Sequence, residues 1–280
     1  MKNFFKKFFI NKISIHKFIK ELSSKIKKKN IIIVSGNINF VGNSKYFYLD
    51  LVKKKKIINF DVYFLTYYQE LYKQLKSKGL PVILFKNNLN LINFKKLLYA
   101  KYIFSDYDLS PSKNITNPFH YSLTFGATKI STYHGIAMKR FPKKINNKEL
   151  QYTYESKQNV DYFISPNSEI NYIWKEHYYN PKKYFYFNYS RLNSFKSSHN
   201  KFELINVNLS LYNFIKFRKK NKKINLVYCP TFRFLDNKKN NDLWLEKINL
   251  KKINSLLIKQ DAILFINFHP GDLQFKQINE

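Results

Sequence analysis

Two of the six histidines and three of the four arginines, in a chain whose basic residues are otherwise lysine, fall in segments able to do phosphate chemistry. His134 lies in Tyr133-His134-Gly135-Ile136-Ala137-Met138-Lys139-Arg140 and His269 in His269-Pro270-Gly271-Asp272. A histidine titrates near neutral pH, so either can take a proton from a hydroxyl or give one to a leaving group. Gly135 lets the backbone approach a ligand closely, and Lys139 and Arg140 would hold an anion beside it. Thr231 and Arg233, in Pro230-Thr231-Phe232-Arg233, are donors for a phosphate. Ser44 and Lys45 end a polar run from Ser35 that predicts a helix N-terminus at Asn43 or Ser44, where free N–H groups suit an anion. Asp106 in Ser105-Asp106-Tyr107 and Arg191 in Tyr189-Ser190-Arg191 complete the set. Each has a plainer reading: His134 as a core histidine, His269 as a strand-end cap fixed by Pro270, Asp106 as the cap of the helix after its strand, Arg191 as a tie between segments. No His/Asp/Glu set has metal-ligand spacing, so neither a metal nor another cofactor is expected. Glycine is too scarce for a dinucleotide fingerprint or a P-loop, which disfavours a dehydrogenase or P-loop enzyme.

The elements that must position these residues are short β-branched and aromatic runs alternating with helical stretches, the pattern of a parallel α/β sheet. Strands are predicted at 31–35, 62–65, 82–85, 102–105, 129–133, 161–165 and 183–187, and again at 224–229 and 263–268, the last two bracketing a helix at 244–259. Five of the chemical motifs follow a strand at its carboxyl end, where ligands bind in open α/β sheets. The expected organisation is a basic amphipathic segment at 1–29, a Rossmann-like domain at 30–195, a linker or helix at 196–222 and the beginning of a second Rossmann-like domain at 223–280. That second domain is expected to be incomplete, since it stops after its second strand.

Composition narrows the class. Forty-four per cent hydrophobic residues in 280 are enough for a buried core. The net charge of +32 is carried by lysines spread evenly along the chain, as an AT-rich genome would produce. They form no stripe, and nucleic-acid readers lean on arginine, so no nucleic-acid partner is expected. The single Cys229 points to a reducing compartment, the cytoplasm. No apolar run approaches the roughly 18 residues of a membrane span. The N-terminal segment groups Phe4, Phe5, Phe8, Phe9, Phe18, Ile19 and Leu22 on one helical side with lysines flanking, which fits either an anionic membrane surface or docking on the chain's own domain.

The motifs, in order, resemble those of the CDP-glycerol glycerophosphotransferases of teichoic-acid-type polymer synthesis. GNSKYFYLDL at 42–51, SDY at 105–107, YHGIAMKRF at 133–141, DYFISPNS at 161–168, YSRLN at 189–193, CPTFRF at 229–234 and FHP at 268–270 follow the family's sequence of signatures. Tyr133 replaces a Trp, Ser190 a Pro, Asn193 an Asp and Phe234 an Asp. The family continues past His-Pro with a segment that holds the CDP moiety, and none is present here. The resemblance implies a GT-B-like fold with the acceptor on the first domain and the nucleotide on the second. It implies transfer of glycerol phosphate from CDP-glycerol to a lipid-linked glycerol-phosphate or glycan acceptor, peripherally on the inner face of the cell membrane. His134 would be the base, His269, Thr231 and Arg233 would face the pyrophosphate, and Lys139 and Arg140 the anionic acceptor. The alternatives are a truncated, non-catalytic remnant that keeps the acceptor-binding domain, or a related GT-B glycosyl or polyol-phosphate transferase.

Overall fold

The computed structural model describes residues 12–36, 40–85, 90–106, 122–132, 160–172, 181–195, 199–229 and 249–267, and the chain divides into two compact units, Met1–Asn206 and Val207–Glu280.

In the first unit, strand β1 (Lys29–Ser35) carries Ile31-Ile32-Ile33-Val34, of which Ile33 and Val34 are wholly buried. So continuous an apolar run is what a parallel strand covered on both faces needs. It pairs with β2 (Asp61–Thr66) on one side and β4 (Ala100–Ser105) on the other. Adding β3 (Val82–Leu84), β5 (Thr128–Ser131), β6 (Tyr162–Ser165) and β7 (Lys183–Tyr186) gives an all-parallel seven-stranded sheet among the described residues, in the order β3-β2-β1-β4-β5-β6-β7. Every predicted strand is present within one or two residues. Position 133, expected to close its strand, lies outside the described residues, as do 244–248 of the predicted helix and 268 of the last strand.

Period-two alternation sends side chains to opposite faces of the sheet. On one face Ile33, Leu65, Ile83 and Ile103 pack with Ile19 of α1 (Lys12–Lys25) and with Leu97 and Leu98 of α4 (Leu91–Tyr99). On the other, Ile32, Val34, Val62 and Phe64 pack with Tyr48 of α2 (Gly42–Lys53) and with Leu71 and Leu75 of α3 (Gln69–Ser77). Leu71 and Leu75 are four apart and so share one helical stripe. Each such buried side chain contributes about 1.5–3 kcal/mol. Asparagines start several helices: Asn90 accepts from Asn93 N–H at 2.8 Å at the head of α4.

Helix α1 docks on its own domain. Ile19 and Ser23 are buried, and Ser23 Oγ donates to the Leu123 carbonyl at 2.7 Å. The seated side chains are Ile19 and Ser23, with Ile26 just past the helix; of the expected apolar side, Ile19 is buried, Leu22 is 38% exposed, and Phe4, Phe5, Phe8 and Phe9 lie outside the described residues. Phe18 stays 66% exposed.

The second unit holds α5 (Leu209–Lys220), β8 (Ile224–Tyr228), α6 (Leu250–Lys259) and β9 (Ala262–Ile266), with β8 and β9 parallel. Asn208 and Asn249 cap the two helices. Helix α5, inside the segment expected as linker or helix, is stapled to the strands by Arg218. Its guanidinium donates to Asn225 Oδ1 at 3.0 Å and to the carbonyls of Ile224 and Asp261 at 3.0 and 2.7 Å.

Candidate functional site

The strand order reverses between β1 and β4, and a crevice at such a switch point is where open α/β sheets bind ligands. Ser35, Ser105 and Ser131 stand in register, so β1, β4 and β5 end level there. Helix α2 starts at this edge, and its N-cap residue, Val41, has no side-chain acceptor to offer. The acceptor comes from the residue that follows β4. Asp106 Oδ2 receives the Ser44 backbone N–H at 3.0 Å and the Ser44 hydroxyl at 2.9 Å. At the helix start expected at Asn43 or Ser44, the Ser44 N–H expected to be free for an anion is thus taken by a carboxylate 62 positions away. Gly42 is required beside it: its φ is +78°, and a Cβ there would lie 2.7 Å from Asp106 Oδ2.

Asp106 is wholly buried, and its Oδ1 has no hydrogen-bond partner among the described residues. Burial pushes its carboxyl up to about 6, against the Ser44 bonds and the Arg191 charge, which pull it down. A carboxyl raised above its unfolded value of 3.8 binds its proton more tightly in the folded state. Its ionisation therefore costs stability in full above about pH 6, and the cost is relieved as pH falls toward 4. Asp106→Asn keeps an oxygen for Ser44 and removes the titration. Urea melts of both proteins should show the stability difference shifting toward wild type by about 2–3 kcal/mol from pH 7 to pH 4. A difference that does not move with pH would mean that Asp106 titrates as an ordinary carboxylate.

The same edge fixes the start of the His134 segment. Thr132 N–H donates to the Ser105 carbonyl at 2.8 Å, and Asn43 Nδ2 donates to the Thr132 carbonyl at 3.3 Å. The chain thus leaves β5 tied to both β4 and α2, one residue before Tyr133. His134, Gly135, Lys139, Arg140, Thr231, Arg233 and His269 themselves lie outside the described residues.

Of the remaining sequence candidates, Lys45 is buried and its ammonium donates to the carbonyls of Glu203 and Ile205 at 2.6 and 3.0 Å. Desolvation lowers its pKa to about 8. That geometry anchors segment 203–205 to α2, in place of the phosphate contact the sequence led one to expect. Arg191 sits on the 3₁₀ helix Ser190–Phe195, its guanidinium 5.7 Å from the centre of the Tyr189 ring. The structure therefore gathers Ser44, Asp106 and Arg191 about one strand edge and commits Lys45 to the scaffold.

Beside them lies a cavity of about 350 Å³ that sequence reasoning did not anticipate. Phe104, Ile130, Ile164 and Phe185, one from each of β4 to β7, form one wall, and Phe47 of α2 contributes to the lining. Asn43, Thr132, Tyr189 and Ser190 supply its polar groups. Tyr189 is 4% exposed, and burial pushes its hydroxyl up to about 12. None of these residue types signals a site by itself, which is why only their convergence reveals one. Among the described residues no group of His, Cys, Asp or Glu could hold a metal ion, and no helix is long and apolar enough to cross a membrane.

Comparison with known proteins places these features. A family model described as CDP-glycerol:poly(glycerophosphate) glycerophosphotransferase matches residues 15–279. The chain is similar in structure to the wall teichoic acid polymerase TagF. With a histidine-to-asparagine variant soaked with CDPG the TM-score is 0.55 at 15% identity, covering 100% of this chain and 67% of that one. With another TagF structure the TM-score is 0.53 at 16% identity, covering 96% and 66%. The chain thus spans about two thirds of TagF's length, and the likeness establishes an α/β, GT-B-like fold. No curated protein sequence matches.

Proposed function

This chain belongs to the CDP-glycerol:poly(glycerophosphate) glycerophosphotransferase family, and from that premise we propose that it transfers glycerol phosphate from CDP-glycerol to a hydroxyl acceptor in the synthesis of a teichoic-acid-type surface polymer. The observation that carries the reading is the family match over residues 15–279, together with the helix start at Ser44 that Asp106 holds at the switch point. An acceptor hydroxyl attacks the β-phosphorus of CDP-glycerol. The new O–P bond forms as the bridging P–O bond breaks, CMP leaves with that bond's electron pair, and His134 takes the hydroxyl proton. Cationic and hydroxyl donors offset the charge that develops on the phosphoryl oxygens. His269, Thr231 and Arg233 are assigned to the pyrophosphate, and Gly135, Lys139 and Arg140 to the acceptor side. Asp106 and Ser44 hold the helix start at the edge of the site. Arg191, from the neighbouring 3₁₀ helix, adds positive charge there.

The acceptor is a lipid-linked glycerol-phosphate or glycan chain, and the enzyme works in the cytoplasm at the inner membrane face. Incubation with CDP-glycerol and a glycerol-phosphate primer should release CMP only when the primer is present, with the primer lengthened by one unit per CMP. Release of CMP independent of primer, or transfer from a nucleotide sugar in its place, would overturn the assignment.

A further inference from the structure

Thr132 is held from two sides where β5 ends. Its N–H and its hydroxyl both donate to the Ser105 carbonyl, at 2.8 and 3.4 Å, which fixes it to β4. Its own carbonyl accepts from Asn43 Nδ2 at 3.3 Å, across 89 positions of sequence. Both partners are buried, Asn43 at 1% and Thr132 at 5% exposure. A carbonyl can only accept, so the amide has to turn its nitrogen toward Thr132. Asn43 stands in the first turn of α2, and the bonds from Ser44 to Asp106 hold that turn against the end of β4. The donor thus comes from a turn that is itself fixed. The carbonyl it grips belongs to the peptide bond between Thr132 and Tyr133. A peptide unit is planar, so fixing its C=O also fixes the N–H and Cα of Tyr133, and only the two soft dihedrals of Tyr133 separate that plane from the Cα of His134. Tyr48, further along the same helix, makes a tie of the same kind elsewhere: its hydroxyl donates at 2.6 Å to the carbonyl of Pro81, just before β3.

We propose that Asn43 is a positioning residue for the transfer: its amide sets the direction in which the chain leaves β5, and so aims the His134 imidazole at the acceptor hydroxyl. Asn43 acts through His134 and takes no part in bond making itself. The role of His134 as base rests on the transfer reading, whereas the tie between Asn43 and Thr132 does not.

In the full chain, Asn43→Ala removes the donor, and Asn43→Leu removes it at nearly constant side-chain size. Both should lower kcat for primer-dependent CMP release by about 10- to 100-fold, the cost of displacing a reacting group by up to about 1 Å, with KM for CDP-glycerol within about twofold of wild type. In the His134→Ala background the same substitutions should cost less than about twofold, because residues that act as one unit are not additive. Tyr48→Phe, which breaks the comparable tie to Pro81, should lower the melting temperature and leave kcat within about twofold of wild type. A readout that needs no turnover is the imidazole NMR signal of His134 in histidine-labelled protein, assigned by its loss in His134→Ala. It should shift in both Asn43 variants and stay in place in Tyr48→Phe. Wild-type kcat in the folded Asn43 variants, or an equal loss in the His134→Ala background, would overturn the proposal and leave the transfer reading standing. If the wild-type chain releases no CMP, the transfer reading fails, and the His134 signal decides the tie: a shift supports Asn43 as the residue that aims His134, and an unmoved signal overturns it.

Discussion

An alanine in place of His134 is expected to slow primer-dependent CMP release by about 10²–10⁴-fold, the usual worth of a positioned general base. The loss should fall on kcat, with KM for CDP-glycerol little changed, since an imidazole that takes the acceptor proton contributes to the transition state more than to donor binding. The acid limb of the pH–rate profile, set by protonation of the base, should vanish with it. Far-UV circular dichroism and the melting temperature should match those of wild type. A His134→Ala enzyme that keeps its rate and its acid limb would remove His134 from the mechanism.

A side chain at position 126 should unseat helix α1. A Cβ on Gly126 would meet Ser23 O at 2.1 Å, Ser23 C at 2.7 Å and Ser24 Cα at 2.8 Å, all backbone atoms that no rotamer change can move. The close approach is also where the helix is held. Gly126 N–H donates to Ser23 Oγ at 3.1 Å, and the Lys28 ammonium reaches that oxygen at 3.2 Å and the Leu98 carbonyl at 2.8 Å. Gly126→Val therefore combines overpacking, about 1–3 kcal/mol, with exposure of Ile19, about 1.5–3 kcal/mol. Urea melts should record that loss, and trypsin should cut after Lys20 and Lys25 much sooner than in wild type. Wild-type stability in Gly126→Val would mean that α1 is not seated there. The variant also separates the two readings of the N-terminal segment. If α1 serves the domain, its release lowers stability. If it serves an anionic membrane, release should strengthen salt-sensitive vesicle binding by freeing its lysines.

The parts of the fold legible in the sequence were those that depend on neighbours in the chain. Ile31-Ile32-Ile33-Val34 reads as a doubly covered strand because a continuous apolar run admits little else between two polar segments. The polar strand ends stood out because Gly, His, Pro and Arg are scarce in a lysine- and asparagine-rich chain. Arg218, equally rare, gave no such signal, because its partners Ile224, Asn225 and Asp261 are identified only by how α5 meets its strands.

The α/β class, the positions of the strands and the family to which the ordered motifs point were all legible from residue order alone. Which strand lies beside which, that Asp106 caps α2 from across the switch point, and that Lys45 is spent on the carbonyls of Glu203 and Ile205 emerge only in the folded chain. It alone decided, too, that Tyr189 and four strand residues enclose a cavity. Strand and helix patterning is local, written in periods of two and 3.6 residues. A cap 62 residues away, or a wall built one side chain per strand, depends on which segments the collapsed core brings together, and many sequences with the same local pattern would pair them differently.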